Sequence, residues 1–148
     1  MQKKNALPIV IFAIMLVSFI RLPGYCEPVD TTFEQLKLEL KNKGVSDEFI
    51  TITENSVKRL ISSRALLADI KSVLLDLWGE GRNGRALKNA VASVAELVES
   101  GDNTLEAAKI TSGAAHKAES EGLNQFAVGM RVKKAVQDRK AYLKTLKN

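Results

Sequence analysis

The chain has 148 residues, 22 of them basic and 17 acidic, with 45% hydrophobic and 5% aromatic residues and a single cysteine, so an intrachain disulfide is excluded. Three of the basic residues (Lys3, Lys4 and Arg21) stand in the first 26 positions, which leaves 19 basic against 17 acidic in the remainder. A balance that close lacks the strong positive field of a nucleic-acid binder, and a cysteine-free body of about 120 residues must be held by one hydrophobic core.

Residues 1–26 form the first element, reading as a signal peptide or membrane anchor: Lys3 and Lys4, an apolar run from Ala6 to Ile20, then Arg21-Leu-Pro-Gly-Tyr-Cys26. Gly24 and Cys26 suit cleavage ahead of Glu27, the favoured fate, which implies a periplasmic or extracellular protein. Lipidation of Cys26 is the second fate, but Tyr25 puts a bulky side chain where a lipobox has Gly or Ala. The third is an uncut membrane tether through 6–20, shorter than the ~20 residues of a spanning helix and carrying Pro8 near its start.

The body, 27–148, reads as a single helical domain. Its one proline is Pro28, and glycines at Gly44, Gly79–Gly84, Gly101 and Gly122 separate apolar-periodic segments. Each glycine lies beside a capping residue: Ser46 or Asp47, Asn83, Asp102 or Asn103, and Asn124. The first helix, about Thr31 to Lys43, turns Phe33, Leu36 and Leu40 to one side. Phe49-Ile-Thr-Ile-Thr53 is β-branched but follows a cap and has no strand to pair with, so it opens a helix.

From Val57 to Trp78 apolar residues widen to nearly the whole circumference, predicting one central, most buried helix. Leu87, Val91, Val94 and Val98 then form a narrow seam. Between Leu105 and Ala118 the apolar side is small (Ala107, Ala108, Gly113, Ala114, Ala115, Ala118), which predicts close backbone approach. The last helix, about Asn124 to Leu146, places Val128, Val132, Ala135, Val136, Tyr142, Leu143 and Leu146 on one side. Arg139 falls within that stripe, where its guanidinium must reach an acid on the body.

Charge is unevenly distributed: residues 27–130 hold 12 basic and 16 acidic side chains, whereas 131–148 hold seven basic residues against Asp138. Lys133, Lys140, Lys144 and Lys147 share one face of the last helix and are the candidate surface for an anionic partner.

The chemistry-bearing patterns are weaker. Gly79-Glu-Gly-Arg-Asn-Gly84 fits the glycine spacing of a dinucleotide fingerprint, but it follows a helix instead of a strand, so it reads as an interhelical turn. His116 is the only histidine and has no second imidazole or thiol with which to hold a metal. Asp69 and Asp76 share a helix face, where capture of Arg64, Lys71 or Arg139 suits them better than a paired-carboxylate site. Gly81, Gly101 and Gly122, spaced by 20 and 21 residues, hint at a solenoid fragment without repeating residue identity.

The expectation is therefore an all-α protein, a compact bundle of about five helices after the N-terminal segment, exported, without cofactor or metal and not an enzyme. Its role would be binding or structural in the cell envelope, with a protein or an anionic envelope surface as partner. The competing expectation is a membrane- or lipid-anchored accessory protein that assembles through the Leu87-Val91-Val94-Val98 seam.

Overall fold

The computed structural model describes residues 28–81 and 84–147. Residues 1–26, with their cleavage, lipidation and anchor readings and Cys26, lie outside the described residues, as do Arg82 and Asn83.

Six helices account for the fold: α1 Val29–Asn42, α2 Asp47–Ser62, α3 Leu67–Gly79, α4 Gly84–Glu99, α5 Thr104–Ser120 and α6 Gln125–Thr145. No strand occurs among the described residues. The all-α class holds, with six helices instead of about five.

The extra helix comes from Val57 to Trp78, which is two elements and not one central helix. The chain breaks at Ser63–Leu66, between α2 and α3, with neither glycine nor proline at the break. Arg64 takes the left-handed conformation there, at φ 60°. Its N–H donates to the carbonyl of Ile61 (2.9 Å) and that of Ala65 to Leu60 (3.1 Å). The same pair of bonds closes α1 at Gly44 and Val45, α4 at Gly101 and Asp102, and α5 at Gly122 and Leu123. Residues of positive φ at 44, 64, 81, 101 and 122 thus end five successive helices, and an arginine does at one of them what glycine does at the others.

A side chain bearing Cβ is strained in that conformation, by about 1–2 kcal/mol. Arg64→Gly is therefore expected to stabilise the domain by about 0.5–1 kcal/mol after the added freedom of the unfolded chain is counted. Thermal melting should rise by a few degrees.

The polar N-caps fall where the sequence places them. Ser46 accepts from the N–H of Phe49, Asn103 from those of Leu105 and Glu106, and Asn124 from that of Ala127. α1 and α3 start at Pro28 and Leu66, each without a side-chain cap.

Successive helices alternate between two layers. α3 packs beside both α1 and α5, while α4 packs beside both α2 and α6. This is the order of a short helical solenoid. α4 also packs on α5, and it is the central helix: Leu87, Val91, Val94, Ala95 and Leu97 are all at most 1% exposed. Of the Leu87-Val91-Val94-Val98 seam, the first three residues therefore belong to the core within one chain, with Val98 partly buried against it.

The main core runs from Phe33 of α1 to Val136 of α6, and a smaller one of Ala115, Ala118 and Val128 joins α5 to α6. The alanines of α5 permit the close approach anticipated for them, but Gly113 is exposed and faces open space. Buried Thr53 and Thr111 return their hydroxyl protons to carbonyls one turn back, so neither leaves a donor unmet.

Ion pairs stitch the helices at the surface. Lys58 bridges Asp30 of α1 and Glu54 of α2, both at 2.8 Å, with its ammonium over the Phe33 ring. Lys71 of α3 reaches Glu39 of α1. Arg59 of α2 holds Glu99 of α4 through two hydrogen bonds of 2.7 and 2.6 Å, which keep that carboxyl below its ordinary range.

Candidate functional site

The site arises from how α6 lies on α4. The C-terminal half of α6 is pinned to the end of α4 and the turn after it. Arg139 donates from Nε and Nη2 to the two carboxylate oxygens of Asp102, at 2.7 and 2.8 Å. Lys140 reaches Glu96 at 2.6 Å, and the Lys147 ammonium donates to the carbonyl of Ser100 at 3.1 Å. The Asp102 side chain is only 3% exposed, and it also accepts from the N–H of Asn103. Hydrogen bonding to Arg139 outweighs desolvation and holds this carboxyl below its usual range.

Towards the N-terminal half of α6, the space between the two helices is open. A groove of about 1000 Å³ lies between Arg85–Glu96 of α4 and Gln125–Gln137 of α6, with Thr111, Ser112 and Ala115 of α5 beneath it and Arg59 of α2 at one end. Its walls hold small residues: Ala86, Ala90 and Ser93 on α4, and Gly129 on α6. A side chain added at Gly129 would meet open space. Phe126 and Met130, 79% and 53% exposed, stand along the α6 lip. Exposed Arg85 and Lys133 line the groove, and neither is ion-paired among the described residues. The other two charges of the lining with close partners are occupied, Arg59 by Glu99 and Glu96 by Lys140.

Apolar lips, small walls and two unneutralised cations suit binding. The lining holds one carboxylate, Glu96, the hydroxyls of Ser93, Thr111 and Ser112, and no histidine or cysteine.

The structure separates the four lysines chosen from sequence. Lys140 and Lys147 are turned onto α4, Lys133 lines the groove and Lys144 is exposed away from it. Tyr142 and Leu146, assigned to the apolar stripe, are 51% and 64% exposed, whereas Leu143 of the same stripe is buried.

Asp69 and Asp76 both lie on α3 but capture none of the cations assigned to them that have a described partner. Lys71 pairs with Glu39, and Arg139 with Asp102. His116 Nε2 is 3.5 Å from Glu80 and Nδ1 3.6 Å from Glu119, a contact between α5 and the end of α3. No three His, Cys, Asp or Glu side chains converge on a metal position among the described residues. Gly79 ends α3 and Gly84 begins α4, so the glycine run joins two helices.

Phe126 and Met130 are the functional candidates that sequence reasoning passed over, whereas Arg85 stands out in the sequence, with Arg82, as a cation at a helix start able to hold an anion. The available signal was the pair of large apolar residues, four apart, lying off the Val128-Val132-Val136 stripe.

Comparison with known protein families, with curated proteins and with solved structures finds no match to this chain.

Proposed function

We propose that this chain is a small exported helical protein with a non-enzymatic binding role in the cell envelope, and that the α4–α6 groove is its working surface. The observation that carries the reading is the juxtaposition of exposed Phe126 and Met130 with Arg85 and Lys133, which have no ion-pair partner among the described residues, over walls of small residues. Export rests on the positive, apolar and turn-forming pattern of residues 1–26. The burial of Leu87, Val91 and Val94 weighs against assembly through that seam and directs attention to the groove.

Two readouts from the protein's own cells test the two halves of this reading. Intact mass after fractionation should start at Glu27 in the soluble exported fraction. A full-length or lipid-bearing mass in the membrane fraction would replace the free protein with a tethered accessory subunit. A photo-reactive phenylalanine at position 126 should give one discrete adduct that the same group at exposed position 144 does not. Equal labelling from both positions would remove the groove as the working surface.

A further inference from the structure

We infer that the groove between α4 and α6 receives an acidic amphipathic helix of a partner protein; this rests on the reading of the groove as the working surface. Size is the first argument. The α4 wall runs from Arg85 to Glu96 and the groove holds about 1000 Å³. Twelve residues of helix are about 18 Å long, and a helix of that length and 10 Å across fills roughly 1400 Å³, so the groove takes most of about three turns.

The second argument is the wall chemistry. Ala86, Ala90 and Ser93 recur at helical spacing on α4, opposite Gly129 of α6, so a third helix can bring its backbone close without displacing side chains. Phe126 and Met130 then close over its apolar face, methionine adapting to the side chains it meets.

Charge selects the occupant. Arg85 and Lys133 are the lining cations without an ion-pair partner among the described residues, while the single carboxylate, Glu96, is held by Lys140. An incoming helix with glutamates flanking its apolar stripe neutralises both cations. The chain's own residues 1–26 carry Lys3, Lys4 and Arg21 and no acid, so the same charges repel them. A membrane surface is flat and cannot enter a concave groove between two helices.

The test uses the full chain as recovered from its own cells and two fluorescent 14-residue helical peptides. Both carry a Leu/Ala stripe, flanked by Glu in one and by Lys in the other. The Glu peptide should bind with a Kd on the order of 10 μM, as suits a small interface, and at least about tenfold more tightly than the Lys peptide. Gly129→Leu fills the groove and should abolish binding. Arg85→Glu combined with Lys133→Glu, both at exposed sites, should weaken the Glu peptide at least about tenfold, whereas Lys144→Glu should leave it unchanged. Circular dichroism melting checks that each variant is folded, and the rim variant keeps the test valid if Gly129→Leu is not.

Equal affinity for the two peptides overturns the proposal, as does Glu-peptide binding that ignores the rim charges. Binding to phosphatidylcholine vesicles containing one-third phosphatidylglycerol, without binding to the Glu peptide, overturns it in favour of a membrane. If neither peptide binds while the position-126 adduct still forms in cells, the acidic helix falls and the groove reading survives.

Discussion

Val91→Lys is expected to abolish folding. Val91 is 0% exposed in α4, the helix that packs against α2, α5 and α6, so an ammonium there would be taken out of water into the apolar core. A charge buried without a partner costs more than about 4 kcal/mol, comparable with the ~5–15 kcal/mol that holds a whole domain together. Far-ultraviolet circular dichroism should lose its helical signal at 25 °C. Val91→Ala, which removes two methyl groups and leaves a small cavity, should instead remain folded and cost about 1.5–3 kcal/mol. A Val91→Lys protein that kept native melting and changed only its sedimentation would mean that the seam faces another molecule.

Asp102→Ala should lower the melting temperature by roughly 10 °C, since it strands the guanidinium that now pairs with a nearly buried carboxylate. Asp102 sits directly after α4 and Arg139 lies on α6, so this one bond sets how α6 rests on the end of α4. The pH dependence has a defined sign. Hydrogen bonding from Arg139 keeps the folded carboxyl below its usual range, so the folded form binds its proton less readily than the unfolded chain does. The stabilisation is complete above the unfolded value near pH 3.9, and it is lost as the pH falls through the folded value. Glu99, lowered by hydrogen bonding to Arg59, contributes in the same acid window. Asp102→Asn should therefore be less stable than the native chain at neutral pH, with a flatter acid limb and a gap that closes as the pH falls through the folded value. A gap of constant size across that range would show that Asp102 acts through packing alone.

Both variants also bear on the groove. α6 is fastened to α4 by Arg139, Lys140 and Lys147, whereas its N-terminal half borders the open space. Loosening the fastened end should alter the groove's width, so Asp102→Asn is expected to weaken the Glu-flanked peptide even where the protein is fully folded. Titration of that peptide at neutral pH checks this.

How much of this was legible beforehand follows from the range of the interactions involved. Ser46, Asn103 and Asn124 cap helices through atoms two or three residues away, and Gly44, Gly101 and Gly122 end them through bonds equally local. Such features are written in short stretches of chain. The break between α2 and α3 is equally local, yet it was hidden, because Arg64 occupies the position glycine would mark and Leu66 the position a polar cap would mark. The apolar continuity across that break comes from Leu66 and Leu67, which are 68% and 41% exposed, so one-dimensional periodicity reads two helices and the turn between them as a single buried element.

By itself, the sequence determined the all-α class, most of the helix ends, the existence of the Leu87-Val91-Val94-Val98 seam and the need of Arg139 for an acid. Only the tertiary structure decided that Asp102 is that acid, that α4 is the central helix, and that Phe126 and Met130 stand exposed beside Arg85 and Lys133. The reason is physical: caps and periodicity act within a turn or two of helix, whereas a groove is the space that helices far apart in the chain leave between them. Small residues such as Ala86, Ala90 and Gly129 carry no mark of that space until the helices around them are in place.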